Sequence, residues 1–191
     1  MSVKQSFFVL ADTEKCTGCR ACELACFAGH QRKKPATVGN ITSPVIPRLY
    51  LARGGTLCMP VQCHHCEDAP CLRSCLTGAI KRQDGVVILD PHRCIGCRNC
   101  AMACPFGAVQ VFSDSEVTEN TESCCTKKLV YKCDLCIDAE EPACAANCPN
   151  KALRLVDPAA EIDEKRIAAI NAMGAAATVT GAPASGSEGG K

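Results

Sequence analysis

Sixteen of the nineteen cysteines in this 191-residue chain fall into four compact groups. Cys16, Cys19, Cys22 and Cys26 are spaced C-x2-C-x2-C-x3-C, and Cys94, Cys97, Cys100 and Cys104 repeat that spacing and add Pro105. Cys63, Cys66, Cys71 and Cys75 are spaced C-x2-C-x4-C-x3-C, and Cys133, Cys136, Cys144 and Cys148 are spaced C-x2-C-x7-C-x3-C before Pro149. The first spacing is the bacterial run by which thiolates hold cubane iron–sulfur clusters, and the terminal proline belongs to it. The other two groups keep both ends of the run and lengthen only the middle loop. Sixteen thiolates so arranged serve four [4Fe–4S] clusters, whose chemistry is one-electron transfer.

The spacing has a physical basis. Three thiolates that converge on one cube must sit on a tightly curled loop. Gly18 and Gly96, each just before the second cysteine of its group, permit the positive φ that such a curl requires. The curl also turns backbone N–H groups toward an anionic cluster. The fourth cysteine follows about one helical turn later and ligates the other cluster of a pair. Pro105 and Pro149 disfavour helix at the preceding residue, so each helix should stop at its ligand.

Competing uses of cysteine fit less well. Zinc sites combine two separated pairs, whereas these groups are compact and recur four times. Disulfides need an oxidising compartment. The N-terminal segment Met1–Asp12 carries only a short apolar stretch, without a signal-peptide core or a twin-arginine pair. No apolar run approaches the ~20 residues that span a bilayer. A cytoplasmic, reducing location follows as the expectation. Lys and Arg number 21 against 20 Asp and Glu, a net charge of +1 that argues against nucleic acid as partner. Aromatics are 4% and Trp is absent, so an ordinary apolar core is hard to build and the metal sites must help hold the fold.

The elements that position these cysteines form a repeat. An apolar run precedes each of two groups, Phe7 to Leu10 and Val86 to Leu89, followed by Asp12 or Asp90 and by Lys15 or Arg93 directly before the first cysteine. After the last cysteine come Leu76-Thr77-Gly78-Ala79-Ile80, Pro105-Phe106-Gly107-Ala108-Val109 and Pro149-Asn150-Lys151-Ala152-Leu153. The unit reads as strand, cluster loop, short helix, turn, strand. Two units make one ferredoxin-like module, so the expected class is α+β: two tandem ferredoxin-like modules, loop-rich, within residues 1–156. Their expected arrangement is interleaved, 1–30 with 130–156 and 56–112 as the other module. A strand-like alternation runs from Arg48 to Val61. Residues 113–129 read as a polar insertion. Residues 157–191 read as a tail, with a short helix carrying Ile162, Ile167, Ile170 and Met173 and ending at Gly174, then disorder. These apolar positions read as local packing, with a partner contact as the alternative.

The segments Cys16-Thr17-Gly18-Cys19-Arg20-Ala21-Cys22, Cys63-His64-His65-Cys66-Glu67-Asp68-Ala69-Pro70-Cys71, Lys132-Cys133-Asp134-Leu135-Cys136 and Pro142-Ala143-Cys144-Ala145-Ala146-Asn147-Cys148-Pro149 carry a resemblance. Over about residues 5–156 the chain resembles the four-cluster ferredoxin subunits of molybdopterin oxidoreductases and hydrogenases, the beta subunits of the dimethyl-sulfoxide-reductase superfamily. Iron–sulfur subunits of formate hydrogenlyase and formate dehydrogenase are similar, as are carbon-monoxide-dehydrogenase-associated ferredoxins. The resemblance implies the ligand sets: Cys16, Cys19 and Cys22 with Cys148; Cys133, Cys136 and Cys144 with Cys26; Cys63, Cys66 and Cys71 with Cys104; Cys94, Cys97 and Cys100 with Cys75. It also implies a partner, a large catalytic subunit of the molybdopterin formate dehydrogenase, hydrogenase or CO dehydrogenase type. Leu76 departs from the family's usual proline, which would let that helix run on.

No nucleophile elbow, phosphate loop or dinucleotide fingerprint occurs, so the expectation is an electron-transfer subunit that is no enzyme by itself. The alternatives are a free-standing polyferredoxin and an iron–sulfur redox sensor. His64 and His65 read as packed or solvent-facing, with cluster tuning as the alternative. Cys58 reads as a buried small hydrophobe, and Cys124 and Cys125 as spare surface thiols.

Overall fold

The computed structural model describes residues 7–31, 39, 41, 44–113 and 128–179. Most of the polar insertion, with Cys124 and Cys125, lies outside the described residues, as do Pro35 and the tail beyond Val179. The chain divides into two units, 1–156 and 157–191.

The first unit is a mixture of short helices and paired short strands, each pair antiparallel. β1 (Phe8–Ala11) pairs with β8 (Leu153–Val156), joining the two ends of the unit with Phe8 opposite Val156. β2 (Tyr50–Gly54) pairs with β3 (Leu57–Val61), β4 (Ile80–Gln83) with β5 (Val86–Leu89), and β6 (Val109–Ser113) with β7 (Lys128–Lys132). The β4–β5 turn is Asp84-Gly85, with φ of 50° and 86°. Two consecutive positive φ values make the tight hairpin that an Asp-Gly pair favours. The Arg48–Val61 alternation is likewise split into a hairpin, reversed at Gly55 with φ 60°.

Four short helices carry the later cysteines of each group: α1 (Ala21–Gly29), α2 (Pro70–Arg73), α3 (Asn99–Ala103) and α4 (Ala143–Ala146). α1 packs on α4, and α2 on α3. α3 stops at Cys104, whose backbone is extended before Pro105. The helix before Leu76 does not run on: α2 ends at Arg73, and the chain turns through Gly78 (φ 60°), whose N–H meets the Cys75 carbonyl at 3.2 Å. Gly107 and Lys151 close the same turn on Cys104 and Cys148. The same turn follows the helix end with proline after the cysteine or without it.

The core is thin and threaded with thiols. One cluster gathers Val9, Leu49, Val86, Leu135 and Leu153 around Cys22, Cys26, Cys63, Cys133 and Cys144; another gathers Ala69, Ile80, Val87 and Val109 around Cys71 and Cys100. Apolar side chains here surround sulfur more than they interdigitate with each other.

The second unit holds one helix, α5 (Pro158–Val179). It runs past Gly174, the stop expected from the sequence, because three alanines follow and a single mid-helix glycine costs only about 1 kcal/mol. Ile162, Ile167, Ile170 and Met173 are exposed, against the local-packing reading. No helix among the described residues is long and apolar enough to cross a membrane.

Candidate functional site

The four cysteine loops share one backbone device. In each, the residue two positions after the first cysteine has positive φ and donates its N–H to that cysteine's sulfur. Gly18 (φ 70°) does so to Cys16. His65 (φ 48°), Gly96 (φ 67°) and Leu135 (φ 57°) donate to Cys63, Cys94 and Cys133, each at 3.4 Å. A non-glycine residue held left-handed costs about 1–2 kcal/mol, so His65 and Leu135 are kept there by the N–H···S bond and the curl it completes. Sequence reasoning found the curl only at the two glycines.

Three of the fourth cysteines receive donors as well. Ala152 N–H reaches Cys148 Sγ at 3.3 Å, and Arg48 N–H reaches Cys26 Sγ at 3.3 Å. The Cys75 thiol is partly buried, which raises its pKa, but backbone N–H groups of Ile80, Ala79 and Thr77 and the Thr77 hydroxyl outweigh that and lower it. All are groups that stabilise a sulfur anion.

Cys16, Cys19, Cys22 and Cys148 line one hollow, walled by Leu51, Pro60 and Leu153. Cys63, Cys66, Cys71 and Cys104 line another, walled by Val87, Val109 and Phe106. Among the rest, Cys144 lies within electrostatic reach of Cys26 and Cys136, Cys133 within reach of Cys144 and Cys26, and Cys100 within reach of Cys94 and Cys97. Cys75 and Cys104 flank the second core cluster beside buried Cys71 and Cys100.

This donor set suits a cubane cluster. Each of these two sets joins three thiols of one curled loop to the last thiol of another group, the ligand pattern of paired cubane clusters, whereas zinc sites combine two separated pairs. Burial pushes the Cys22 and Cys71 thiols up to about 11 and Cys144 to about 12, and raises Cys133 as well. Such thiols stay protonated alone and ionise when they coordinate metal.

Several supporting residues were not legible as functional. His30 Nε2 lies 3.0 Å from Asp134 Oδ1, and Arg48 pairs with the other carboxylate oxygen. Burial opposes charge on His30, but the hydrogen bonds to Asp134 and Cys26 outweigh it and hold its pKa up to about 10. Burial likewise opposes charge on Asp134, yet His30 and Arg48 hold that carboxyl well below the usual range. The trio ties α1 and the segment before β2 to the fourth loop. Cys58 is half-buried, with Sγ donating to the Cys16 carbonyl at 3.4 Å; it touches the first loop instead of packing as a plain hydrophobe. His64 stacks between Phe8 and Phe106, with ring centroids 5.5 and 4.1 Å away. His65 is fully buried. Lys132, at the end of β7, is 4% exposed. Cys19 and Cys97 are exposed, with Ile95 and Met102 exposed near Cys97 in sequence.

Comparison with known proteins places this arrangement. Residues 55–158 match the family model described as a 4Fe-4S dicluster domain. An iron-sulfur protein of Rhodospirillum rubrum is 38% identical over 175 residues, covering 87% of this chain and 88% of that protein. The electron transport protein HydN of Escherichia coli K12 is 40% identical over 157 residues, covering 78% of this chain and 87% of that one. Formate hydrogenlyase subunit 2 of the same strain is 37% identical over 174 residues, covering 78% and 81%.

Proposed function

Because the chain belongs to the 4Fe-4S dicluster domain family and is an iron–sulfur electron-transfer protein related to formate hydrogenlyase, we propose that it relays single electrons between a large catalytic subunit and a second redox partner. The catalytic subunit proposed is of the formate dehydrogenase, hydrogenase or CO dehydrogenase type. Four [4Fe–4S] clusters are proposed, held in two interleaved ferredoxin-like modules by all sixteen cysteines of the four groups. Cys148 completes the set of Cys16, Cys19 and Cys22; Cys26 that of Cys133, Cys136 and Cys144; Cys104 that of Cys63, Cys66 and Cys71; Cys75 that of Cys94, Cys97 and Cys100.

The observation carrying this reading is the lining of the two hollows, in which three cysteines of one group meet the last cysteine of another. The fourfold N–H···S device supports it. When bound, such a cluster supplies reversible one-electron oxidation and reduction over a wide range of potentials. The chain binds it through thiolates, stabilises those sulfurs with backbone dipoles, and screens them from water with apolar walls. Cys19 and Cys97, the exposed ligands, bring two of the sets to the surface, where electrons enter or leave.

The function is tested by anaerobic isolation of the tagged chain from its own cells. A large redox subunit should co-elute, and formate, hydrogen or carbon monoxide should reduce the chain's iron–sulfur chromophore within that complex. A chain that elutes alone, with a chromophore that none of the three reduces, would contradict the proposed partner.

A further inference from the structure

Resting on that iron–sulfur reading, we propose that Lys132 is a fixed internal counter-charge where the ligand set of Cys63 meets the ligand set of Cys133, and that it raises the reduction potential of the clusters there. The geometry is a chain of hydrogen bonds across the edge of β5. His65, in the Cys63 loop, gives its N–H to Cys63 Sγ, and its Nδ1 accepts the N–H of Val87 at 3.1 Å. The carbonyl of that same Val87 accepts from Lys132 Nζ, which also donates to the Cys133 carbonyl at 2.8 Å. Val87, fully buried, thus turns both backbone groups toward the junction, and the ammonium sits between the two cysteine loops.

A buried ammonium is destabilising unless an anion compensates it. No carboxylate pairs with Lys132 among the described residues, and Asp134 of the adjoining loop is already engaged by His30 and Arg48. The polar groups that Lys132 meets among the described residues are two neutral carbonyls. A cubane held by four thiolates is a net anion in either oxidation state, more so when reduced. Two such anions flanking Lys132 supply the missing charge, and Lys132 in turn favours the reduced state of each. His65 adds a neutral donor at the same place. With Nδ1 accepting from Val87, its proton is on Nε2, which has no partner among the described residues. Arg82 also meets the Cys63 loop, donating to the backbone carbonyls of His65, Cys66 and Glu67 and to that of Gly85, but it is only half-buried, so solvent screens its charge more than that of Lys132.

The test is an anaerobic redox titration of the full chain followed by electron paramagnetic resonance, after iron and sulfide are counted in each sample. In Lys132→Met, the ratio of reduced to oxidised cluster should fall about tenfold at a fixed poise for two of the signals, 59 mV for one electron, while the others stay put. Lys132→Arg, which keeps the charge, should leave all signals near their wild-type poise. Fully loaded Lys132→Met with unchanged potentials would overturn the proposal, as would an arginine variant displaced as far as the methionine one. Should Lys132→Met fail to load, Lys132→Gln, which keeps a donor for the Val87 and Cys133 carbonyls but not the charge, is titrated instead: the same shift of two signals is expected, and unchanged potentials in the loaded variant overturn the proposal. Wild-type protein that carries no iron would instead sink the iron–sulfur reading, so the two failures are distinct.

Discussion

A thiolate in this chain answers to two neighbourhoods, the group it belongs to in sequence and the hollow it faces in space. Cys104 follows Cys100 by one turn, yet it lines the hollow of Cys63, Cys66 and Cys71. Cys104→Ser should therefore disturb the cluster of Cys63, Cys66 and Cys71 and spare that of Cys94, Cys97 and Cys100. Mössbauer and paramagnetic resonance spectra of the variant, compared with those of Cys97→Ser, separate the two cases; identical changes in both variants would refute the exchange of ligands. Asp134 is a second such residue, since it answers both His30 and Arg48. Asp134→Ala leaves two half-buried donors without their acceptor, at a cost of about 1–3 kcal/mol. Anaerobic denaturant titration of the chromophore should show that loss as an earlier bleaching midpoint; an unmoved midpoint would mean the trio does not brace the fourth loop.

The loops illustrate how an element can be set by something other than residue propensity. Gly18 and Gly107 both have positive φ, 70° and 63°. A Cβ on Gly18 would lie 3.1 Å from both the Arg53 guanidinium and Cys58 Sγ, whereas one on Gly107 meets nothing within 4 Å. Gly107→Ala should thus cost only the left-handed strain, about 1–2 kcal/mol. Gly18→Ala adds crowding of the first loop, worth about a further 1–3 kcal/mol. Comparing cluster loss on anaerobic heating of the two variants checks this; equal sensitivity would mean that the packing of Cys58 and Arg53 over Gly18 is not tight. The cysteine groups were legible because ligand spacing is local. The left-handed His65 and Leu135 were not, because a bond to sulfur holds them there instead of a missing side chain. Cys58 and Lys132 were illegible for another reason: their partners Cys16 and Val87 lie 42 and 45 residues away.

Over the whole molecule, β1 pairs with β8 and α1 packs on α4, so the first and last cysteine groups are brought together by the two ends of the unit. The middle two groups meet through α2 and α3. A thin apolar core suffices because so many buried side chains are thiols, and metal coordination adds the binding free energy that apolar contacts lack. Emptying the sites should therefore unfold much of residues 1–156, a loss of backbone signal in circular dichroism that a merely decorative metal would not cause. The central claim is that all sixteen grouped cysteines serve iron. Its most direct test is the content of iron and acid-labile sulfide in protein purified without oxygen, read alongside its Mössbauer spectrum. Four cubanes require about sixteen of each per chain, all in [4Fe–4S] environments. About eight of each, or zinc in their place, would contradict it.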